Sequence, residues 1–248
     1  MTIRTPALRP AERRVLWATL AYVAVFTAWF LASGNLEFVV YVAQMGVAIG
    51  VLAATARAAE YPVEMLWALS LWGLMHMAGG AVRVGDGVLY SFVLVPIVEV
   101  GDTTILKYDQ VVHAYGFGVS AWVLWRLAVR FYPVLRGGKP LYVFCAFAAM
   151  GLGAFAEICE LMAKLIAPET NVGGYYNNAV DLVFNGVGIT VALALVSRRE
   201  RRLLSRRPTL ASRAEPARPT PDQARQPDLI GRRKGPAMGS ARHRKETS

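Results

Sequence analysis

Residues 141–163 read LYVFCAFAAMGLGAFAEICELMA, an apolar run whose first charged residue is Glu157. An α-helix needs roughly 20 residues to cross a hydrocarbon core of about 30 Å, so this run has the length of a membrane span. The carboxylates of Glu157 and Glu160 are costly in lipid unless they are paired, hydrated or bound to a metal ion. The run therefore predicts a membrane helix that carries part of a polar site.

Five further apolar runs have a similar length. They lie at residues 14–32, 36–56, 63–82, 109–129 and 179–197. Over its 248 residues the chain is 55% hydrophobic and 18% charged, with a mean hydropathy of +0.37, which is too apolar for an ordinary soluble domain. The sequence predicts an all-α fold, a polytopic six-helix transmembrane bundle formed by residues 1–197.

Basic residues mark alternate ends of these runs. They precede the first, follow the second and separate the fourth from the fifth: Arg4, Arg9, Arg13, Arg14, Arg57, Arg126, Arg130, Arg136 and Lys139. Since Lys and Arg concentrate in cytoplasmic loops, both termini are predicted to be cytoplasmic, with residues 83–107 and 167–178 facing outward. The first run lacks a clear cleavage site and fits the alternation. We expect a multi-pass protein of the bacterial cytoplasmic (inner) membrane.

The C-terminal segment, residues 198–248, carries all of the net charge. It contains 15 Lys and Arg against 5 Asp and Glu, a net +10, while the preceding residues carry 12 of each kind. With few apolar and almost no aromatic residues it is predicted to be a disordered basic cytoplasmic tail. Anionic lipid headgroups are its expected partner, at about 1 kcal/mol per basic residue. Nucleic-acid binding is less favoured, because no aromatic stacking pattern accompanies the charge.

Seven polar residues interrupt four of the apolar runs. They are His76, Asp109, His113, Glu157, Glu160, Asp181 and Asn185. If the third and fifth runs lead outward and the fourth and sixth inward, all seven lie in the outer half of the membrane. Helical spacing also places Asp109 with His113, Glu157 with Glu160, and Asn178 with Asp181 and Asn185 on shared faces. Gly116, Gly118, Gly186 and Gly188 would allow close helix contact beside them.

Carboxylates and imidazoles at one depth suit a hard or borderline divalent metal ion, and equally general acid/base chemistry. The predicted metal ligands are His76, Asp109, His113, Glu157, Glu160 and Asp181. The predicted catalytic residues are Glu157, Glu160, His113 and Asp109, with Asn178 and Asn185 in support. Structural readings compete with these. Glu160 has the spacing for an ion pair with Lys164, Asp181 could cap a helix, and His76 alone is more typical of a hydrogen-bonded core residue.

Four segments carry a family resemblance. They are LMHMAGG (74–80), KYDQVVHAYGFG (107–118), AEICELM (156–162) and NNAVDLVFNGVG (177–188). Together they resemble the YjdF-like family of bacterial inner membrane proteins, itself similar to the VanZ-like group. The resemblance covers about residues 63–197. It implies that Asp109, His113, Glu157, Glu160, Asp181 and Asn185 are signature polar residues, with His76 specific to the YjdF-like branch.

The YjdF-like resemblance implies no particular activity, whereas VanZ-like proteins are associated with glycopeptide resistance at the cell envelope. Two departures weaken transfer of that role, namely Glu160 and the stretch Tyr175-Tyr176-Asn177-Asn178. The leading hypothesis is a metal-assisted or acid/base enzyme acting on a lipid or lipid-linked envelope substrate. The alternatives are an ion- or proton-coupled transporter and a non-catalytic envelope scaffold. The inner halves of the runs show no matching polar ladder, which favours a one-sided site over transport.

Overall fold

The computed structural model describes residues 8–34, 37–101, 103–166 and 174–213. The chain divides into two units, Met1–Ser205 and Arg206–Ser248. The described residues contain six long α-helices: α1 Pro10–Ala32, α2 Glu37–Ala59, α3 Val63–Ala81, α4 Tyr108–Phe131, α5 Lys139–Ile166 and α6 Tyr175–Arg213. Short 3₁₀ turns occupy Leu89–Ser91 and Pro133–Leu135. Each predicted apolar run lies almost wholly within one of the six helices.

Three helical segments are long and apolar enough to cross a membrane by length and composition. They are Pro10–Ala32, Lys139–Met162 and Tyr175–Ser205. Helix α4 is long but carries Asp109, His113 and Arg126, which lower its mean hydropathy. The structure therefore establishes a mostly helical chain with strongly apolar helices.

Helices α1 and α3 are joined by buried hydroxyl groups. The Thr19 hydroxyl donates to the Val15 carbonyl at 2.8 Å and lies 2.7 Å from the Ser70 hydroxyl. The Tyr22 hydroxyl donates to the backbone carbonyl of Ser70 at 2.9 Å. Such hydrogen bonds stabilise helix pairs that lack a hydrophobic driving force in lipid. Next to them, Gly73 of α3 leaves room for the Tyr22 hydroxyl.

Helices α4, α5 and α6 share one apolar core. Its buried members are Phe117, Ala121, Val129, Leu141, Cys145, Ala149, Ile189 and Leu193. At one point α4 and α6 meet through backbone alone, because a Cβ at Gly188 would overlap the carbonyl group of Ala114 and a Cβ at Gly118 would lie 2.9 Å from the carbonyl oxygen of Gly188. The close approach predicted for Gly118 and Gly188 is confirmed. Gly116 instead accommodates Trp72 of α3.

The connection between α3 and α4 corrects the all-α prediction. It contains two antiparallel pairs, β1 Arg83–Val84 with β2 Gly87–Val88, and β3 Val93–Val100 with β4 Thr103–Lys107. The apolar stretch in β3 is too short to cross a membrane as a helix, and strand pairing satisfies its backbone polar groups instead. The fold is therefore mostly helical with a β-hairpin at one end of α4.

The predicted boundary of the disordered tail at residue 198 is wrong, because α6 continues to Arg213. Glu200 is only 5% exposed. It accepts a hydrogen bond from the Tyr142 hydroxyl, and its Oε1 lies 3.4 Å from Nε of Arg136. These contacts tie the first turns beyond the apolar run to α5 and to the turn before it. The remainder of the predicted tail, residues 214–248, lies outside the described residues.

Candidate functional site

A single amide holds two carboxylates together at the hairpin end of α4 and α6. Nδ2 of Asn177 donates to Oδ2 of Asp181 at 2.6 Å and to Oδ2 of Asp109 at 3.3 Å. On the other side of that amide, Nζ of Lys107 donates to Oδ1 of Asn177 at 3.0 Å. Because an ammonium group only donates, it turns the amide so that its NH₂ faces the two acids. Each acid thus has one engaged oxygen and one oxygen directed elsewhere.

The second oxygen of Asp109 faces His113, one turn into α4. Nε2 of His113 lies 3.6 Å from Oδ1 of Asp109, and Nδ1 lies 3.1 Å from Oδ1 of Asn185. If Nδ1 carries the proton it donates to the Asn185 oxygen, which leaves Nε2 as the unprotonated nitrogen facing Asp109. Asn185 is fully buried, so it holds the ring in a fixed orientation. Asn185 acts here as a positioning residue.

Glu157 of α5 approaches the same imidazole from the other side. Its Oε1 lies 3.5 Å from Nδ1 of His113, too far for a strong hydrogen bond, and its side chain is 6% exposed. Within the described part of the chain neither Glu157 oxygen has a hydrogen-bond partner, and the same holds for Oδ1 of Asp181. Buried acceptors without donors are energetically costly, so this group of atoms is short of positive charge or donors.

Asp109, His113 and Asp181 form a group of potential metal ligands. One ligand atom from each lies within 4.8 Å of the other two. Asp181 is 1% exposed and His113 8% exposed, whereas Asp109 is half-buried and gives the group an open side. Two carboxylate oxygens and one imidazole nitrogen are a donor set used for divalent ions of borderline hardness.

Three residues predicted for the site lie differently. His76 contacts Tyr90, whose hydroxyl is 2.6 Å from Nδ1 and also donates to the His76 carbonyl at 2.8 Å. Glu160 is half-buried one turn from Glu157, outside the group of three ligand atoms. Asn178 is half-buried, and its neighbour Asn177 takes the expected place beside Asp181. The side chain of Lys164, the alternative partner of Glu160, lies outside the described residues.

Two residues of the cluster were missed in the sequence. From the sequence, neither Asn177 nor Lys107 was assigned a site role, yet they connect the two acids to the end of the hairpin. A signal was present for the first, since Asn177, Asp181 and Asn185 recur every four residues and share one helix face. None was present for the second, because the contact between Lys107 and Asn177 spans 70 residues.

Glycines give the cluster its space. A Cβ at Gly153 of α5 would lie 2.6 Å from Nδ2 of Asn185, so the absence of a side chain there makes room for the amide. A Cβ at Gly101, between β3 and β4, would overlap the ring of Tyr176 at the start of α6. The hairpin therefore packs directly against the helix that carries Asp181.

Comparison with known protein families gives a match. The family model described as a predicted membrane protein, DUF2238, matches residues 14–202. That range contains all the predicted site residues and the described helices except their outermost turns. No curated protein and no solved structure matches the chain. The match supports a membrane protein; the YjdF-like and VanZ-like resemblances stay predictions.

Proposed function

This chain belongs to the DUF2238 family of predicted membrane proteins, and we propose that it binds a divalent metal ion between α4 and α6 and uses it on a lipid or lipid-linked substrate. Asp109, His113 and Asp181 would be the ligands. Glu157 would be the general base that accepts a proton from water or from a substrate hydroxyl. The ion would supply Lewis-acid polarisation of an oxygen on the substrate.

One observation carries the proposal, namely the convergence of the three ligand atoms within 4.8 Å. The amide of Asn177 engages one oxygen of each acid and leaves the other available. For Asp181 that other oxygen is buried and unpartnered among the residues described. A cation placed there would neutralise the acids and satisfy the oxygen that the protein itself leaves without a donor.

The spacing restricts which ion fits. Zinc bound at about 2.0–2.2 Å in a tetrahedron separates its ligand atoms by roughly 3.4 Å, so a pair at the 4.8 Å limit would have to close by about 1.4 Å. Calcium bound at about 2.3–2.6 Å accepts opposite ligands about 4.8 Å apart but prefers oxygen throughout. Since one donor is an imidazole, we favour a transition-metal ion of borderline hardness such as Zn²⁺ or Mn²⁺.

Glu157 suits the role of base because it lies beside the ligand group but not in it. It faces Nδ1 of His113, whereas Nε2 faces Asp109. Its two oxygens have no hydrogen-bond donor among the described residues, so they are available to accept a proton. Catalysis would then need both the ion and Glu157, and loss of either should abolish turnover.

We propose six membrane crossings with cytoplasmic termini, so that the site lies in the outer half of the bilayer. The Lys and Arg asymmetry of the loops supports this orientation. The hairpin that leads into α4 supports a lipid substrate, because the apolar side chains of Ile97 and Val98 in β3 are 64% and 51% exposed. A reporter fused in the 167–178 loop should be accessible from outside; access from inside only would contradict the proposed depth.

Metal analysis of the purified full-length protein tests the proposal. The wild type should retain about one Zn²⁺ or Mn²⁺ per chain, and Asp181→Asn should lose it. Glu157→Gln should keep the metal and lose activity on a lipid phosphate or ester substrate. Asp86→Asn is the matched control, since it removes an exposed carboxylate from the β1–β2 turn. Equal metal content in Asp181→Asn and Asp86→Asn would overturn the proposed ligands.

A purely structural cluster makes the opposite prediction. It requires no bound metal, and Asp181→Asn should then change only the free energy of unfolding. Thermal unfolding with and without added Zn²⁺ distinguishes the two, because a ligand that binds only the folded state raises its stability. An increase in the wild type that is absent in Asp181→Asn supports a metal site, whereas no increase in either contradicts it.

A further inference from the structure

A polar cavity lies at the opposite end of α4 from the acidic cluster. Its volume is about 500 Å³, and it is lined by the start of α1, the end of α2, the turn after α2 and the last third of α4. The polar and charged lining residues are Arg9, Glu12, Arg57, Glu60, Tyr61 and Arg126. Arg126 follows Asp109 by 17 residues, hence about 25 Å along the helix axis. The cavity is therefore separate from the proposed metal site.

Ion pairs already use the carboxylates of this cavity. Oε1 of Glu12 is 2.7 Å from Nη2 of Arg9, and Oε1 of Glu60 is 2.6 Å from Nη2 of Arg130, just outside the lining. Across the described ranges, Arg57 and Arg126 have no carboxylate within ion-pair distance. The charged lining residues and Arg130 together comprise four arginines and two glutamates. Two positive charges are therefore left without a carboxylate partner, and the cavity attracts an anion.

Arg126 is prepared for such a ligand. One arm of its guanidinium, Nη2, donates to the Glu60 carbonyl at 3.0 Å, which holds the plane of the group. Its Nε–H is buried and has no acceptor among the described residues. A phosphate oxygen would supply that acceptor, and a fixed guanidinium is well suited to bind phosphate through two parallel hydrogen bonds.

The position along α1 indicates that the ligand belongs to a lipid. The cavity includes Arg9, next to the first residue of the candidate span Pro10–Ala32. Trp17, eight residues further and about 12 Å deeper, is 68% exposed, as expected for an aromatic side chain at the border of the hydrocarbon core. The cavity thus lies at the level of the phospholipid headgroups.

We propose that this cavity is a binding site for the headgroup phosphate of an anionic phospholipid, held by Arg57 and Arg126. It is distinct from any nonspecific attraction of the basic C-terminal segment, because it is built from four elements of the helical domain and has a buried donor. By the orientation argued above, the lipid comes from the cytoplasmic leaflet, which carries anionic lipids.

Native mass spectrometry of the full-length protein, released from micelles containing phosphatidylglycerol and phosphatidylcholine, tests the site. The wild type should retain one phosphatidylglycerol per chain. The double variant Arg57→Gln/Arg126→Gln should bind it about thirtyfold more weakly, which corresponds to about 1 kcal/mol for each basic residue. The matched control Arg13→Gln/Arg14→Gln removes the same charge from exposed positions of α1 outside the lining and should retain the lipid.

The other possible outcomes of this experiment also decide whether the cavity binds a phospholipid headgroup. Equal retention by the two double variants would overturn the site and assign the lipid to nonspecific attraction. Displacement of the lipid by inorganic phosphate alone, with stabilisation of the protein against heat, would show a site for free phosphate instead. If the double variant fails to fold, Arg57→Gln serves alone, because the Arg57 side chain is exposed and its loss disturbs no described ion pair. Undiminished retention in that variant contradicts the proposal.

Discussion

Helix α4 carries ionisable groups near both of its ends, and the two sets are held in different ways. Near its first residue, His113 lies 3.5–3.6 Å from two carboxylates, and all three side chains are largely buried. Near its last, Arg130 lies 2.6 Å from Glu60, yet the Glu60 side chain is 62% exposed. Despite its short distance this exposed contact is expected to contribute little to stability, since exposed ion pairs typically contribute about 0–1 kcal/mol.

The comparison shows that burial, more than distance, decides what such groups can do. In water the pair at the end of α4 loses little when it separates, because each partner is rehydrated. In the buried cluster the unpartnered oxygens of Glu157 and Asp181 cannot form hydrogen bonds with water instead. A buried polar group without a hydrogen bond costs about 1–3 kcal/mol. Because of that cost, the buried cluster is a candidate for binding a cation. The exposed pair of Arg130 and Glu60 is neutral overall and lies at the edge of the arginine-lined cavity.

Separating α4 from α6 should have the largest effect. In Gly188→Ala the new Cβ overlaps the backbone of Ala114, so the helices must move apart and carry Asp181 away from Asp109. We expect the free energy of unfolding to fall by about 2–3 kcal/mol. Gly151→Ala is the control, because its Cβ would meet nothing within 4 Å. The two variants are solubilised in detergent and unfolded with increasing denaturant. Equal unfolding midpoints for Gly188→Ala and Gly151→Ala would show that the cluster does not depend on this contact.

Removing the bridging amide should have the next largest effect. Asn177→Ala deprives Asp109 and Asp181 of their common donor, and we expect a loss of about 2 kcal/mol in the free energy of unfolding of the metal-free protein. Asn178→Ala, one position later, removes an amide whose Oδ1 has no partner in the described structure and should cost clearly less. The two variants are compared by thermal unfolding in the presence of a chelator. A greater loss of unfolding free energy in Asn178→Ala than in Asn177→Ala would contradict the assignment of Asn177 as the bridging amide.

Breaking the exposed pair should have a small effect. Arg130→Gln leaves Glu60 in contact with water, and the expected change in the free energy of unfolding is below about 1 kcal/mol despite the 2.6 Å contact. The same measurement at raised salt should show an even smaller difference from the wild type, because exposed charges are screened. A loss as large as that of Asn177→Ala would break the comparison between the two ends.

Deleting the C-terminal segment after Arg207 should have the smallest effect. The first compact unit ends at Ser205, and the contacts of Glu200 with Tyr142 and Arg136 remain in the truncated chain. Membrane insertion, measured by resistance to alkaline extraction, and the unfolding midpoint should both be unchanged. Loss of the inserted protein would show that residues after Arg207 contribute to folding or assembly.

The helices could be predicted from the sequence because a long apolar run is a local signal. The third run, 63–82, corresponds to α3 Val63–Ala81, and the fourth, 109–129, to α4 Tyr108–Phe131. The end of α6 was missed because hydropathy falls where Arg198 begins the polar part, although the helix itself continues. The β3–β4 hairpin was also missed, since apolar residues run through Val93–Val98 without the alternation that marks a half-buried strand.

The cluster could be predicted in its members but not in its geometry. Spacing placed Asp109 with His113 and Asp181 with Asn185, because a helix determines its own faces. Asn177 and Asn178 precede Asp181 by four and three residues, so helical spacing places both near it, whereas the contact of Asn177 with Asp109 depends on how α4 packs against α6. His76 was assigned to the cluster by depth alone. Its contact with Tyr90, in the segment that joins α3 to α4, could not be read from the sequence.

If the proposed six-span topology holds, the hydroxyl of Thr19 bears on the order in which the helices enter the membrane. Ser70, its partner on α3, is synthesised 51 residues later, which at about 5–20 residues per second is a delay of roughly 3–10 s. Throughout that delay Thr19 can donate to the Val15 carbonyl within its own helix, so α1 carries no unmet hydroxyl into lipid while it is alone. When α3 arrives, the same oxygen is still free to accept from Ser70, and the two helices join without the first hydrogen bond having to break.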